Sequence, residues 1–200
     1  MNVALRRYEV PVSEAEGLRK GERTRRAIAK AAIRILCESG YQALTVASVA
    51  EFAGIRRNSY YTYFSDLNRL IDELSLKTLN QIGGRSAKAP GNRYRSVTIS
   101  RLQYVLALRD HDTDATVVLS ELYAHHADTA AEVHRRLTLD IANDRRRGLI
   151  SNTGREALIT ATIAAAGTME RLRRGSVAKS GDDEVFLSLI ARLCGLSAAK

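Results

Sequence analysis

Between Ile55 and Phe64 the chain reads IRRNSYYTYF. Two guanidinium groups, one carboxamide, two aliphatic hydroxyls and three phenols fall between Arg56 and Tyr63. A core helix would carry aliphatic side chains there, and a plain surface helix would carry Glu, Lys and Gln. Arginine bonds O6 and N7 of guanine in bidentate fashion, and asparagine does the same with N6 and N7 of adenine. Serine, threonine and tyrosine hydroxyls bond phosphate oxygens, and a tyrosine ring can lie against a thymine methyl. The chemistry on offer is that of touching a duplex. The competing reading is a packed aromatic cluster with incidental polar tips. It suits Tyr60, which lies four residues from Phe64 and can face inward with it. Tyr61 and Tyr63 cannot both follow on one short helix. The candidate contact set is therefore Thr45, Arg56, Arg57, Asn58, Ser59, Tyr61, Thr62 and Tyr63.

These side chains need a frame. In TVASVAEFAG, Val46, Val49, Ala50 and Ala53 recur at i, i+3, i+4 and i+7, and Thr45 precedes them as an N-cap. Gly54 supplies a turn and Ile55 fills the space between two helices. The second helix starts near Arg57 and ends by Phe64. Two short helices joined at a glycine make a helix-turn-helix, whose second helix enters a major groove. An earlier helix, roughly Gly21 to Glu38, carries the stripe Ile28, Ala31, Ala32, Ile35 and Leu36 and stops before Gly40.

The rest of the 200 residues is also helical in pattern. Prolines occur only at Pro11 and Pro90, and apolar residues make up 45% of the chain, enough for a core. The spacing predicts helices over 66–82, 94–110, 115–127, 129–147, 155–174 and 183–197, with GGRSAKAPGN as a loop. No segment alternates with period two, so the fold is all-α. Arg145, Arg146 and Arg147 before Gly148, and Arg171, Arg173 and Arg174 before Gly175, read as helix C-termini, where cations offset the dipole and glycine closes the turn. Residues 1–20 read as a mobile leader, 21–66 as a DNA-binding domain and 67–200 as a second helical domain. Net charge is +9, with a pI near 9.9, which favours polyanionic partners without specifying a fold. No apolar run is long enough to span a bilayer, no signal peptide is evident, and Cys37 and Cys194 read as buried thiols of a reducing cytoplasm.

From about Gly21 to Leu70 the chain resembles the tetracycline-repressor (TetR) family of bacterial one-component regulators. The resemblance rests on the first helix RTRRAIAKAAIRILCESGY, then ALTVASVAEFAGI, then the helix ending YTYF and a long helix after Ser65. Gly40-Tyr41, Thr45, Val49-Ala50, Ala53-Gly54, Tyr61 and Tyr63-Phe64 fall at the matching spacing. It implies a homodimer on a near-palindromic operator, released when a small molecule enters the second domain. The chain departs from the family pattern at Arg56, where a small polar residue is usual, at Asn58, where glycine is usual, and at Leu67, where many members carry lysine. The operator sequence therefore does not transfer, and Arg56, Arg57 and Arg69 are the cations that could replace the missing lysine contact.

Two further regions follow from this frame. The small residues Ala161, Ala164 and Ala165, with Leu187, Ile190, Leu193 and Cys194 opposite, predict a four-helix dimer interface made by the last two helices. An effector pocket is expected among Leu102, Tyr104, Val105, Leu106, Leu119, Tyr123 and Ile141, although such a stripe is also ordinary core. Glu121, His125, His126, Asp128, Glu132 and His134 could ligate a metal, but adjacent histidines diverge on a helix, so polar residues at a helix junction are expected and no metal or other cofactor. The acids of DHDTDATVVLSE fail as a calcium loop because Ala115 stands where glycine is required, and Asp114 reads as an N-cap. No nucleophile elbow, Walker loop, dinucleotide fingerprint or HExxH is present, so an enzyme is not expected. The rivals are a helical small-molecule binder with a decayed reading head, or an RNA or membrane-surface binder acting through charge alone.

Overall fold

Apolar residues at three- and four-residue spacing close into helices throughout the computed structural model, which describes residues 19–86, 95–150, 154–173 and 180–196. The helices are α1 (Lys20–Ser39), α2 (Val46–Phe52), α3 (Arg57–Tyr60), α4 (Leu67–Ser86), α5 (Val97–His111), α6 (Thr113–His125), α7 (Ala127–Arg146), α8 (Gly154–Arg173) and α9 (Ser180–Leu193). A 3₁₀ turn, Tyr41–Ala43, joins α1 to α2, and there is no strand among the described residues. The fold is all-α, with a three-helix N-terminal unit followed by a larger helical bundle. Most of the proposed leader, and Arg174 with Gly175, lie outside the described residues.

Two apolar cores organise the chain. The first joins Ile28, Ile35 and Leu36 of α1 to Val49, Tyr60 and Phe64, and takes Leu70, Ile71 and Leu74 from α4 and Val118 and Leu122 from α6. The second gathers α5 to α9 around residues such as Ile99, Leu102, Leu137, Ile141, Ala161 and Ile190. It takes Leu79 from α4 and Leu119 from α6. Only α4 and α6 thus contribute to both cores among the described residues, and a boundary drawn after residue 66 cuts across the packing of α4.

Local chemistry sets the helix ends. The Asp66 carboxylate accepts from the Arg69 N–H at 2.9 Å and opens α4. That bond, with help from Ser65, holds Asp66 below the usual carboxylate range. Asp144, fully buried near the end of α7, accepts from Ser96 Oγ, Val97 N and Thr98 N and ties down the start of α5. The cap of α6 is a correction to the sequence reading. Asp112, rather than Asp114, accepts from the Ala115 N–H, and Asp114 sits buried inside the first turn. Gly148, at φ +71°, closes α7 after the arginine run. Helix α4 also runs further than expected, through Gly83 and Gly84 to Ser86.

Candidate nucleic-acid interface

The helix-turn-helix is built from α2 outward. Thr45 is the N-cap of α2, and its Oγ1 accepts from the Ser48 N–H at 3.0 Å while the Thr45 N–H donates to Ser48 Oγ at 3.0 Å. Ser48 Oγ also donates to the Ala43 carbonyl at 2.7 Å, which anchors the cap to the preceding turn. Such a cap is worth about 1 kcal/mol. Gly54, at φ +66°, makes the turn that a side chain would strain. From there α3 departs.

Helix α3 is shorter than the pattern predicts. Regular helix covers Arg57–Tyr60, and Tyr61 to Tyr63 form a tighter turn, with the Tyr63 N–H donating to the Tyr60 carbonyl at 2.9 Å. The inward face is as expected. Tyr60 and Phe64 are 0% and 3% exposed, with ring centroids 5.8 Å apart. The Tyr60 hydroxyl donates to the Asp66 carbonyl at 3.1 Å, and burial, reinforced by Asp66, pushes its pKa up to about 12.

Arg25 of α1 locks the same face. Its guanidinium lies 4.4 Å from the centre of the Phe64 ring, donates to the Tyr63 carbonyl at 3.0 Å and pairs with Glu73 of α4. One side chain therefore ties α1, the turn after α3 and α4 together.

Outward, the structure leaves a polar surface. Arg56, Arg57, Asn58, Ser59, Tyr61 and Thr62 are all exposed, as is Thr45. Among the described residues, no hydrogen bond or ion pair holds the side chains of the six exposed positions from Arg56 to Thr62. Tyr61 makes an edge contact with the Tyr60 ring. Tyr63 is half-buried, its ring edge close to Gly21 at the start of α1, so it is less open than its neighbours. Arg69, one turn along α4, is exposed on the same short stretch of chain.

The architecture has solved counterparts. Salmonella enterica GusR matches with a TM-score of 0.68 at 15% identity, covering 89% of this chain and 98% of that one. A TetR-family transcriptional regulator from Syntrophomonas wolfei matches at 0.67 and 14%, covering 88% and 97%. Another from Rhodococcus sp. matches at 0.64 and 18%, covering 86% and 98%. The chain has the TetR-family fold. No family model and no curated protein matches its sequence.

Within this TetR-family fold, α4 to α8 surround a cavity of ≈ 440 Å³ of empty space, its open mouth included. Leu102, Val105 and Leu119 line it as the sequence suggests. Tyr104, Leu106, Tyr123 and Ile141 do not; Leu106 and Ile141 are sealed in the second core, and Tyr104 and Tyr123 pack against it. Leu79, Val133, Leu137, Ala165 and Met169 complete the apolar wall, and Arg101 and Arg136 add charge. Thr168, 2% exposed, also lines the cavity, and its buried hydroxyl has no hydrogen-bond partner among the described residues. A lone threonine in a run of small residues gave no signal of this.

The dimer residues need a larger correction. Ala161, Ala164, Ala165, Leu187, Ile190 and Cys194 are each at most 8% exposed, because α8 and α9 turn these faces toward their own subunit. Leu193 alone of the expected set is exposed, at 41%. Apolar side chains left outside are Ile159 and Ile163 on α8 and Val185, Leu189 and Leu193 on α9.

Proposed function

We propose that this chain is a transcriptional regulator that binds double-stranded DNA sequence-specifically through α3 and the cap of α2. One observation carries the reading: a full set of base- and phosphate-bonding side chains is exposed and unengaged on a short segment whose other face is locked by Tyr60, Phe64 and Arg25. The net positive charge supports a polyanionic partner. The likeness to solved TetR-family regulators supports the same reading. A decayed head would have lost the polar set, and charge alone would not need it ordered.

One short reading helix covers too few base pairs for genomic selectivity, so the reading includes a two-fold homodimer on a near-palindromic operator. Its interface is the exposed stripe at Ile159 and Ile163 with Val185, Leu189 and Leu193, which recurs every four residues on both helices. The cavity is proposed as the seat of a small-molecule effector whose entry releases the operator, making the protein a ligand-responsive repressor rather than an enzyme. Release requires the ligand to bind better to the arrangement in which the two reading helices miss the operator. Helices α4 and α6, which pack into both cores, would carry the change. On this reading residues 21–66 are the reading domain, 67–200 the effector and dimer domain, and the protein acts in the cytoplasm.

Selection of bound sequences from random duplexes, with the purified full chain, tests this. The expected product is an inverted repeat with half-sites near one duplex turn apart, about 34–36 Å, or modestly more. Recovery of no enriched sequence would overturn the reading.

A further inference from the structure

We propose that Asp72, His126 and Asp128 form a binding site for a divalent transition-metal ion of the zinc type, at the corner where α4 meets the junction of α6 and α7. One ligand atom from each of the three residues lies within 4.8 Å of the other two. Asp72 comes from the second turn of α4, His126 is the residue between α6 and α7, and Asp128 lies in the first turn of α7. The set differs from the cluster suggested by spacing alone. Glu121 is taken by Tyr41, Glu132 by Arg135 and Arg136, and His134 by Tyr123.

The arrangement around His126 points to a cation. Its side chain is only 10% exposed, and Nδ1 is bonded to Thr129 Oγ1 at 2.9 Å. Thr129, itself 1% exposed, is bonded in turn to Ser75 Oγ of α4 at 2.6 Å. That chain fixes the ring and turns Nε2 toward Asp72. Nε2 stops 3.8 Å from Asp72 Oδ1, too far for a hydrogen bond in either tautomer. Two donors each about 2.1 Å from one ion in a tetrahedral shell stand about 3.4 Å apart, so an ion fits the gap with a small side-chain rotation.

An imidazole nitrogen with two carboxylates suits zinc better than magnesium or calcium, which favour all-oxygen shells. Three protein ligands leave a fourth position for water. The Thr129 hydroxyl is the outer-shell partner that orients the ring, as metal-bound histidines require. The site would staple α4 to the start of α7. Asp72 directly precedes Glu73, the partner of Arg25, in the sequence of α4.

Calorimetric titration of the chelator-treated full chain with zinc, repeated with cobalt to read its visible absorption, tests the site independently of DNA binding. One ion per chain is expected. Asp128→Asn, at an exposed position, should weaken binding roughly tenfold or more, as should Asp72→Asn and His126→Ala; Thr129→Val, which removes the outer-shell bond to His126, should cost about tenfold. His134→Ala, outside the cluster, should leave affinity unchanged. No binding to the unaltered chain, or undiminished binding in both Asp128→Asn and His126→Ala, would overturn the assignment.

Discussion

The Tyr41 backbone N–H donates to Glu121 Oε2 at 2.9 Å, joining the turn before α2 to the C-terminal half of α6. The Tyr41 ring stacks on His125 of the same helix, with centroids 5.1 Å apart. Leu119, two residues before Glu121, lines the cavity. On the proposed function, a displacement of α6 by a ligand in that cavity would be passed to the helix-turn-helix through this contact. Glu121→Ala leaves the Tyr41 N–H without its charged acceptor and should lower stability by about 1–3 kcal/mol in denaturant unfolding. Glu121→Gln keeps an acceptor and should lose less. Equal stability of all three proteins would show that this joint holds nothing.

On the reading segment, substitutions should separate into two kinds. Arg57→Ala and Asn58→Ala remove groups that can reach base edges, and each should cost about 1–3 kcal/mol on the selected operator while relaxing preference at one position. Thr45→Ala removes the α2 cap and should weaken binding to all sequences alike. Binding assays on operator and on random duplex distinguish the two. Equal losses on both duplexes for Arg57→Ala and Asn58→Ala would exclude direct base reading by α3.

Where α8 meets α9, Gly167 is held to glycine by Phe186. A Cβ built at Gly167 would fall 2.5 Å from Phe186 Cε2 and 2.9 Å from Cζ. The ring cannot withdraw freely, because Arg171 lies over it with its guanidinium carbon 4.0 Å from the ring centre. Gly167→Ala improves helix propensity by about 1 kcal/mol. Overpacking costs about 1–3 kcal/mol, so the net change should be a lower melting temperature. Pairing it with Phe186→Leu should restore part of the loss, and a stabilised single variant would contradict the packing described.

The helix-turn-helix was legible because its signals are local. Thr45 could only cap, Gly54 could only turn, and Tyr60 and Phe64 share one helical face. What failed depended on partners far along the chain. The spacing of Ala161, Ala164 and Ala165 marks one face of α8 but not whether that face meets α9 of its own subunit or a second chain. The structure turns it inward and leaves Ile159 and Ile163 outside. Asp112 and Asp114 both stand just before the apolar run of α6, and only the backbone path decides that Asp112 caps it. Asp72 belongs with His126 through the packing of α4 on the α6–α7 corner, which no spacing reveals.

Acid should unfold the protein in part through Glu132. Its carboxylate accepts from Arg135 Nε at 2.6 Å and from Arg136 Nε at 2.7 Å. The Arg135 bond, followed by that from Arg136 against the opposing effect of burial, holds its pKa down at about 2. An unfolded glutamate titrates near about 4.3. The folded value is the lower one, so protons bind the unfolded chain first; the contribution is present above about pH 4.3 and is lost as pH falls toward 2. Arg136 also donates to Asn80 of α4 at 2.7 Å, so losing Glu132 loosens the α4–α7 contact as well. Glu132→Gln carries no titrating group there, and its melting temperature should fall less steeply across that window than that of the unaltered chain. Parallel slopes for the two proteins would assign the acid sensitivity to other carboxylates.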